Sequence, residues 1–183
     1  RQVLAANGVA SLWDFSQVNL NTVLKLDAPE FHVTHSQTQL LLAEAAVRGW
    51  VSGTAADYFT AGVRANLEQM ASYDVSAAIP EAPIAAYLKA HPLDNAKALE
   101  QINTQYWVSS FLNGPELFAN FRRSGFPALA KNPYPGSELQ KESFIRRMPY
   151  PDSEIIVNLQ NLNEAIGRQG PNNLESRVWW DKN

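Results

Sequence analysis

The residues able to do chemistry are few and scattered. His32 and His35 stand three apart with Glu30 nearby, and two imidazoles at that spacing can share a metal ion. These two straddle the start of a helix, no third ligand is specified, and ordinary loop histidines are the simpler reading. His91 precedes Pro92 and is expected to face solvent. The sequence contains no Gly-x-Ser-x-Gly element, no P-loop and no Gly-x-Gly-x-x-Gly. It has no cysteine, which excludes disulfides, thiolate metal sites and a cysteine nucleophile. Asp57, Glu68 and Glu100 read as exposed helix carboxylates, although a glycosidase pair assembled from distant positions would leave no local motif. The reading is a chain without catalysis, metal or cofactor.

Two basic doublets, Arg122-Arg123 and Arg146-Arg147, could grip an anion through guanidinium forks. The plainer reading is helix C-terminal charge and ion pairs to Glu116, Glu138 or Asp152. Aromatic residues offer more: Trp13, Trp50, Trp107, Trp179, Trp180 and six tyrosines. Aromatic faces stack on the apolar C–H face of a sugar ring, but at helical spacing they usually form core. Trp107 is assigned to the core on that ground. Tyr73, Tyr87 and Tyr134 lie in or beside loops and are freer to meet a ligand. Tyr87 and Tyr134 are the candidate ligand-binding residues.

A chain of 183 residues suffices for one domain with a sizeable core. With 45% hydrophobic and 18% charged residues it is a folded composition. The net charge of −3, from 15 basic and 18 acidic residues, gives no electrostatic footprint for nucleic acid or an anionic membrane. No run approaches the roughly 20 apolar residues of a membrane span. The chain begins Arg1-Gln2-Val3-Leu4, without Met, and is expected to be a piece of a longer protein.

The elements that position these residues are helices. Thr34 and Gln37 form a capping-box pattern ahead of a helix over 36–48, closed by Gly49. Thr54 caps a second over 54–72. Ala43, Ala46, Ala61 and Gly62 would let the two approach closely, giving an antiparallel hairpin like a tetratricopeptide unit. Residues 74–93 read as a Pro-containing loop with at most one short helical turn, around 85–89. Asp94 is expected to cap a helix over 95–112. Asn113-Gly114-Pro115 ends it and starts another over 115–124, with Gly125 as a left-handed cap. Phe118 and Phe121 are expected to be buried against the helix that carries Trp107. Residues 126–151 are again Pro-rich, with a short strand-like run at 144–148. Asp152 caps a last helix over 153–166, whose stripe of Ile155, Ile156, Leu159, Leu162 and Ile166 is expected to be buried. The predicted class is mainly α, an irregular helical bundle with a tetratricopeptide-like hairpin and long Pro-rich loops.

Several segments, in this order, resemble the SusD/RagB family of bacterial outer-membrane nutrient-binding lipoproteins. They are residues 34–50; 105–111 with Asn120-Phe121-Arg122-Arg123-Ser124-Gly125-Phe126-Pro127; Arg146-Arg147-Met148-Pro149-Tyr150-Pro151 followed by Asn158, Asn161 and Ala165; and the closing Val178-Trp179-Trp180-Asp181-Lys182. The resemblance covers about residues 30–183. It implies a SusD-like, mainly helical fold and a cell-surface protein held to the outer membrane by an N-terminal lipidated Cys. It also implies capture of glycans or peptides for a SusC-like TonB-dependent transporter. Family members are longer, so residues 1–183 are expected to be the C-terminal part of one SusD-like domain, without the signal and lipidation site. The alternative is a helical-repeat scaffold that binds another protein and no small molecule; a hydrolase with loop carboxylates is a third class.

Overall fold

A computed structural model describes residues 16–130, 139 and 143–181. Contacts divide the chain into two units, one spanning Phe15–Pro127 and the other formed by Arg1–Asp14 with Ala128–Asn183. Among the described residues, regular structure is helical throughout.

The first unit is built on a helical hairpin. Helix α1 (His35–Val47) starts at the expected capping box: the Thr34 hydroxyl accepts the Gln37 N–H at 3.1 Å, and Gln37 Oε1 accepts the Thr34 N–H at 2.9 Å. Helix α2 (Ala55–Tyr73) starts at Thr54, whose hydroxyl accepts the Asp57 N–H. The small residues act as expected at Ala43, which is fully buried, and above all at Gly62. A Cβ at Gly62 would lie 2.7 Å from Leu40 Cγ, and Ser36 Oγ donates to the Gly62 carbonyl at 2.7 Å.

Helix α3 (Glu81–Ala90) replaces the single turn expected at 85–89. Pro83 lies in its first turn, where the missing N–H has no intrahelical acceptor to lose. Asp94 caps a short 3₁₀ turn, Asn95–Lys97, and only then does α4 (Ala98–Ser109) begin. Helix α4 ends earlier than expected because Leu112 takes a left-handed φ of 69°. Asn113 then caps α5 (Gly114–Ser124), its side chain accepting the Glu116 N–H, and Gly125 closes that helix at φ 77°. The core joins α1, α2 and α4 through Leu40, Ala43, Phe59, Val63, Ala98, Ile102 and Tyr106.

Two expectations for this unit fail. Phe118 and Phe121 are only half-buried, and the buried residue of α5 is Asn120. The reason is polar: Asn120 and Arg123, three apart, turn inward toward α1, which swings the phenylalanines sideways. Trp107 is half-buried and lines a cavity, outside the buried core cluster.

In the second unit the expected helix 153–166 is broken at Asn158 into α6 (Asp152–Val157) and α7 (Leu159–Gln169). The break shifts the helical phase, so the five-residue stripe no longer shares a face. Leu162 is buried, whereas Ile155, Ile156 and Leu159 are exposed. Residues 144–148 form no strand; the Arg146 and Arg147 N–H groups both donate to the Leu174 carbonyl. Arg146 also binds buried Asp181, which accepts from Arg177 at 3.0 Å as well.

Candidate functional site

Tyr87 stands on the last turn of α3, half exposed, with its ring against His91 at a centroid distance of 4.4 Å. His91 is therefore surface-exposed but not isolated. The pair opens onto a groove of about 320 Å³ whose far wall is α4. Phe59 lines it from the core side, and Gln101, Thr104 and Gln105 line it along α4. Those three share one helix face because residues three and four apart are neighbours. Gln105 Nε2 donates to the Tyr87 hydroxyl at 3.4 Å. Gln101 Oε1 accepts the Asp94 N–H at 2.6 Å, which fixes the orientation of that amide. Lys97 and Glu100 add one charge of each sign. An aromatic pair beside side-chain amides and a hydroxyl offers stacking together with directional hydrogen bonds, the combination a neutral polyol needs.

A second cavity, of about 370 Å³, is lined mainly by Met70, Tyr73, Trp107, Val108, Phe111 and Leu117. Tyr73, expected in a freer setting, is buried and packs edge-on to Phe31 at 5.2 Å. Burial pushes its hydroxyl pKa up.

Tyr134, the other candidate ligand residue, lies outside the described residues. His35 reaches Gln39, the His32 carbonyl accepts from Asn113, and among the described residues no three His, Asp or Glu side chains converge on a point where a metal could sit. Among the described residues the basic doublets enter structural pairs with acids other than Glu116 and Asp152, and Glu138 lies outside those residues. Arg123 binds Glu44, Arg146 binds Asp181, and Arg122 lies over the Phe118 ring at 3.9 Å. Arg147 lies over Tyr150 and donates to Gln169. Gln101, Thr104 and Gln105 escaped notice in the sequence; the available signal was their i, i+3, i+4 spacing beside Tyr87's helix.

The SusD-like family profile, described as "Starch-binding associating with outer membrane", matches residues 5–151. The chain belongs to the SusD-like family. Among solved structures it is similar to a chitin-binding protein, with 41% identity and a TM-score of 0.78, over 85% of this chain and 34% of that one. It is similar to a Bacteroidetes SusD-like protein (AC2a) at 29% identity and TM-score 0.80, over 99% and 37%. A chitin-binding SusD homologue from Flavobacterium johnsoniae gives 26% identity and TM-score 0.64, over 81% and 36%. This SusD-like chain thus spans about a third of the length of these relatives. A search of curated proteins returned no match. No helix among the described residues of the SusD-like chain is long and apolar enough to cross a membrane.

Proposed function

We propose that this SusD-like chain is part of a non-catalytic cell-surface protein that captures oligosaccharide at the outer membrane. In this reading a lipid anchor holds the protein there, and it delivers its ligand to a SusC-like TonB-dependent transporter. The observation that carries the reading is the 41% identity to a chitin-binding protein within the SusD-like family. The groove beside Tyr87 supports it locally, with aromatic and amide groups together and opposed charges from Lys97 and Glu100. Tyr87 and Tyr134 are the proposed stacking residues. Peptides are the other ligand class.

The experiment is calorimetric titration of the full-length protein with oligosaccharides and peptides at low and high salt. A neutral glycan held by stacking binds with nearly the same affinity at both, because screening acts on charges. Steady release of shorter sugars would make the protein an enzyme and end the reading. The alternative, a scaffold that binds only another protein, draws on the apolar cavity at Trp107. It prevails if no glycan or peptide binds.

A further inference from the structure

The groove between α3 and α4 has a hydrogen-bonding pattern more specific than general polarity. Gln101 Oε1 is held by the Asp94 N–H, so its Nε2 is the end left to donate, and it donates to no group among the described residues. Gln105 gives one Nε2 hydrogen to the Tyr87 hydroxyl at 3.4 Å, which orients the amide and leaves Oε1 to accept beside the second N–H. Gln101 and Gln105 lie one turn apart on α4 and present a fixed donor next to an acceptor. A secondary amide is the complement of that pair, with its carbonyl toward Gln101 and its N–H toward Gln105. Phe59 and the Tyr87–His91 pair supply apolar surface for a methyl group and a pyranose face. The single Lys97 and single Glu100 leave the groove without net charge, which favours an uncharged sugar over a uronic acid or a free amino sugar.

We infer that this groove is a subsite for an N-acetylated hexosamine, with Gln101 and Gln105 reading the acetamido group and Tyr87 stacking on the ring. The inference rests on the carbohydrate-binding reading and assigns its specificity. A sugar bearing only hydroxyls stacks on Tyr87 equally well, and a hydroxyl can accept from Gln101, but it lacks the rigid carbonyl and N–H of an acetamide that meet both glutamines at once.

The test is calorimetry on the full-length protein with chitotriose and with cellotriose, which shares the β-1,4 linkage and lacks the acetamido groups. The wild type is expected to bind chitotriose the more tightly. Gln101→Glu keeps the acceptor for the Asp94 N–H and removes the donor. It is expected to weaken chitotriose roughly tenfold and cellotriose by much less. Tyr87→Ala is expected to weaken both sugars by a similar factor. Equal wild-type affinity for the two sugars, or an unchanged chitotriose affinity in Gln101→Glu, overturns the inference while carbohydrate binding stands. No binding of any sugar overturns both. Crystals of the wild type soaked with chitotriose give a reading independent of variant folding: sugar bound elsewhere with an empty groove also overturns the assignment.

Discussion

Arg123 on α5 donates through Nη1 and Nη2 to Oε1 and Oε2 of Glu44 on α1, at 2.7 and 2.8 Å, across 79 residues of sequence. The Glu44 side chain is 5% exposed and that of Arg123 is 38% exposed. Arg48 adds a second guanidinium to Glu44 at 2.9 Å, and Asn103 donates to it at 3.2 Å. Arg123 further binds the side-chain oxygens of Asn103 and Asn120. Arg123→Ala leaves a buried carboxylate with half its cationic support. Breaking a buried pair costs about 3–5 kcal/mol, and the partial exposure of Arg123 lowers the expectation to about 2–3 kcal/mol. Urea unfolding of the variant measures it; a loss under about 0.5 kcal/mol would mean that the pair carries no stability.

The same carboxylate gives stability a pH dependence. Burial alone would raise the Glu44 pKa, but the hydrogen bonds and charge of Arg123, and then of Arg48, outweigh it and hold the group below its ordinary value. A depressed native pKa means stability that is present above the unfolded value, near 4.3, and lost as pH falls through the native one. Wild-type stability is expected to drop below about pH 4.3 more steeply than that of Glu44→Gln. Parallel curves for the two proteins through that window would refute the assignment.

Gly62→Ala tests the close crossing of α1 and α2. In an exposed helix this exchange gains up to about 1 kcal/mol. Here the new methyl would lie 2.7 Å from Leu40 Cγ and 3.2 Å from the Leu40 backbone nitrogen, which cannot move aside. The expected result is a net loss of about 1–3 kcal/mol, the usual range for overpacking. A raised melting temperature would show that the hairpin can open at no cost.

Leu112 presents the opposite case. It holds a φ of 69° with a side chain that is half exposed. A left-handed conformation costs a residue with a Cβ roughly 1–2 kcal/mol, and glycine pays none of it. Leu112→Gly is expected to stabilise by about 0.5–1 kcal/mol, after the added flexibility of the unfolded chain is counted. A destabilised variant would show that the leucyl contacts outweigh the strain.

Local signals carried most of the helical boundaries. Thr34 with Gln37, Thr54, Asn113-Gly114-Pro115 and Gly125 each specify a cap whose chemistry is complete within a few residues, and each cap is found. The misses arose where distant partners decide. Glu44 sits in an Ala- and Leu-rich helix and reads like a surface carboxylate, since nothing within one turn announces that Asn103 and Arg123 will meet it. That meeting fixes the rotation of α5, so the apolar appearance of Phe118 and Phe121 pointed to the wrong face. Asn158 broke a helix that its neighbours' propensities would have continued. At the groove, Tyr87 was legible as an aromatic near a loop. Its amide partners depend on how α3 packs beside α4, which no short-range pattern encodes.

The polar cluster at Glu44 also bears on which arrangement of these helices can form at all. Hydrophobic contacts among α1, α4 and α5 are non-directional and by themselves set the register of α5 only weakly. Glu44, Asn103 and Arg123 are directional, and a slipped α5 would take the Arg123 fork from the buried carboxylate and leave Arg48 and Asn103 alone to hold it. A misdocked packing therefore costs several kcal/mol more than the true one. The chain carries at this junction a proofreading device for its own assembly, one that closes only when three segments far apart in sequence have each arrived in register.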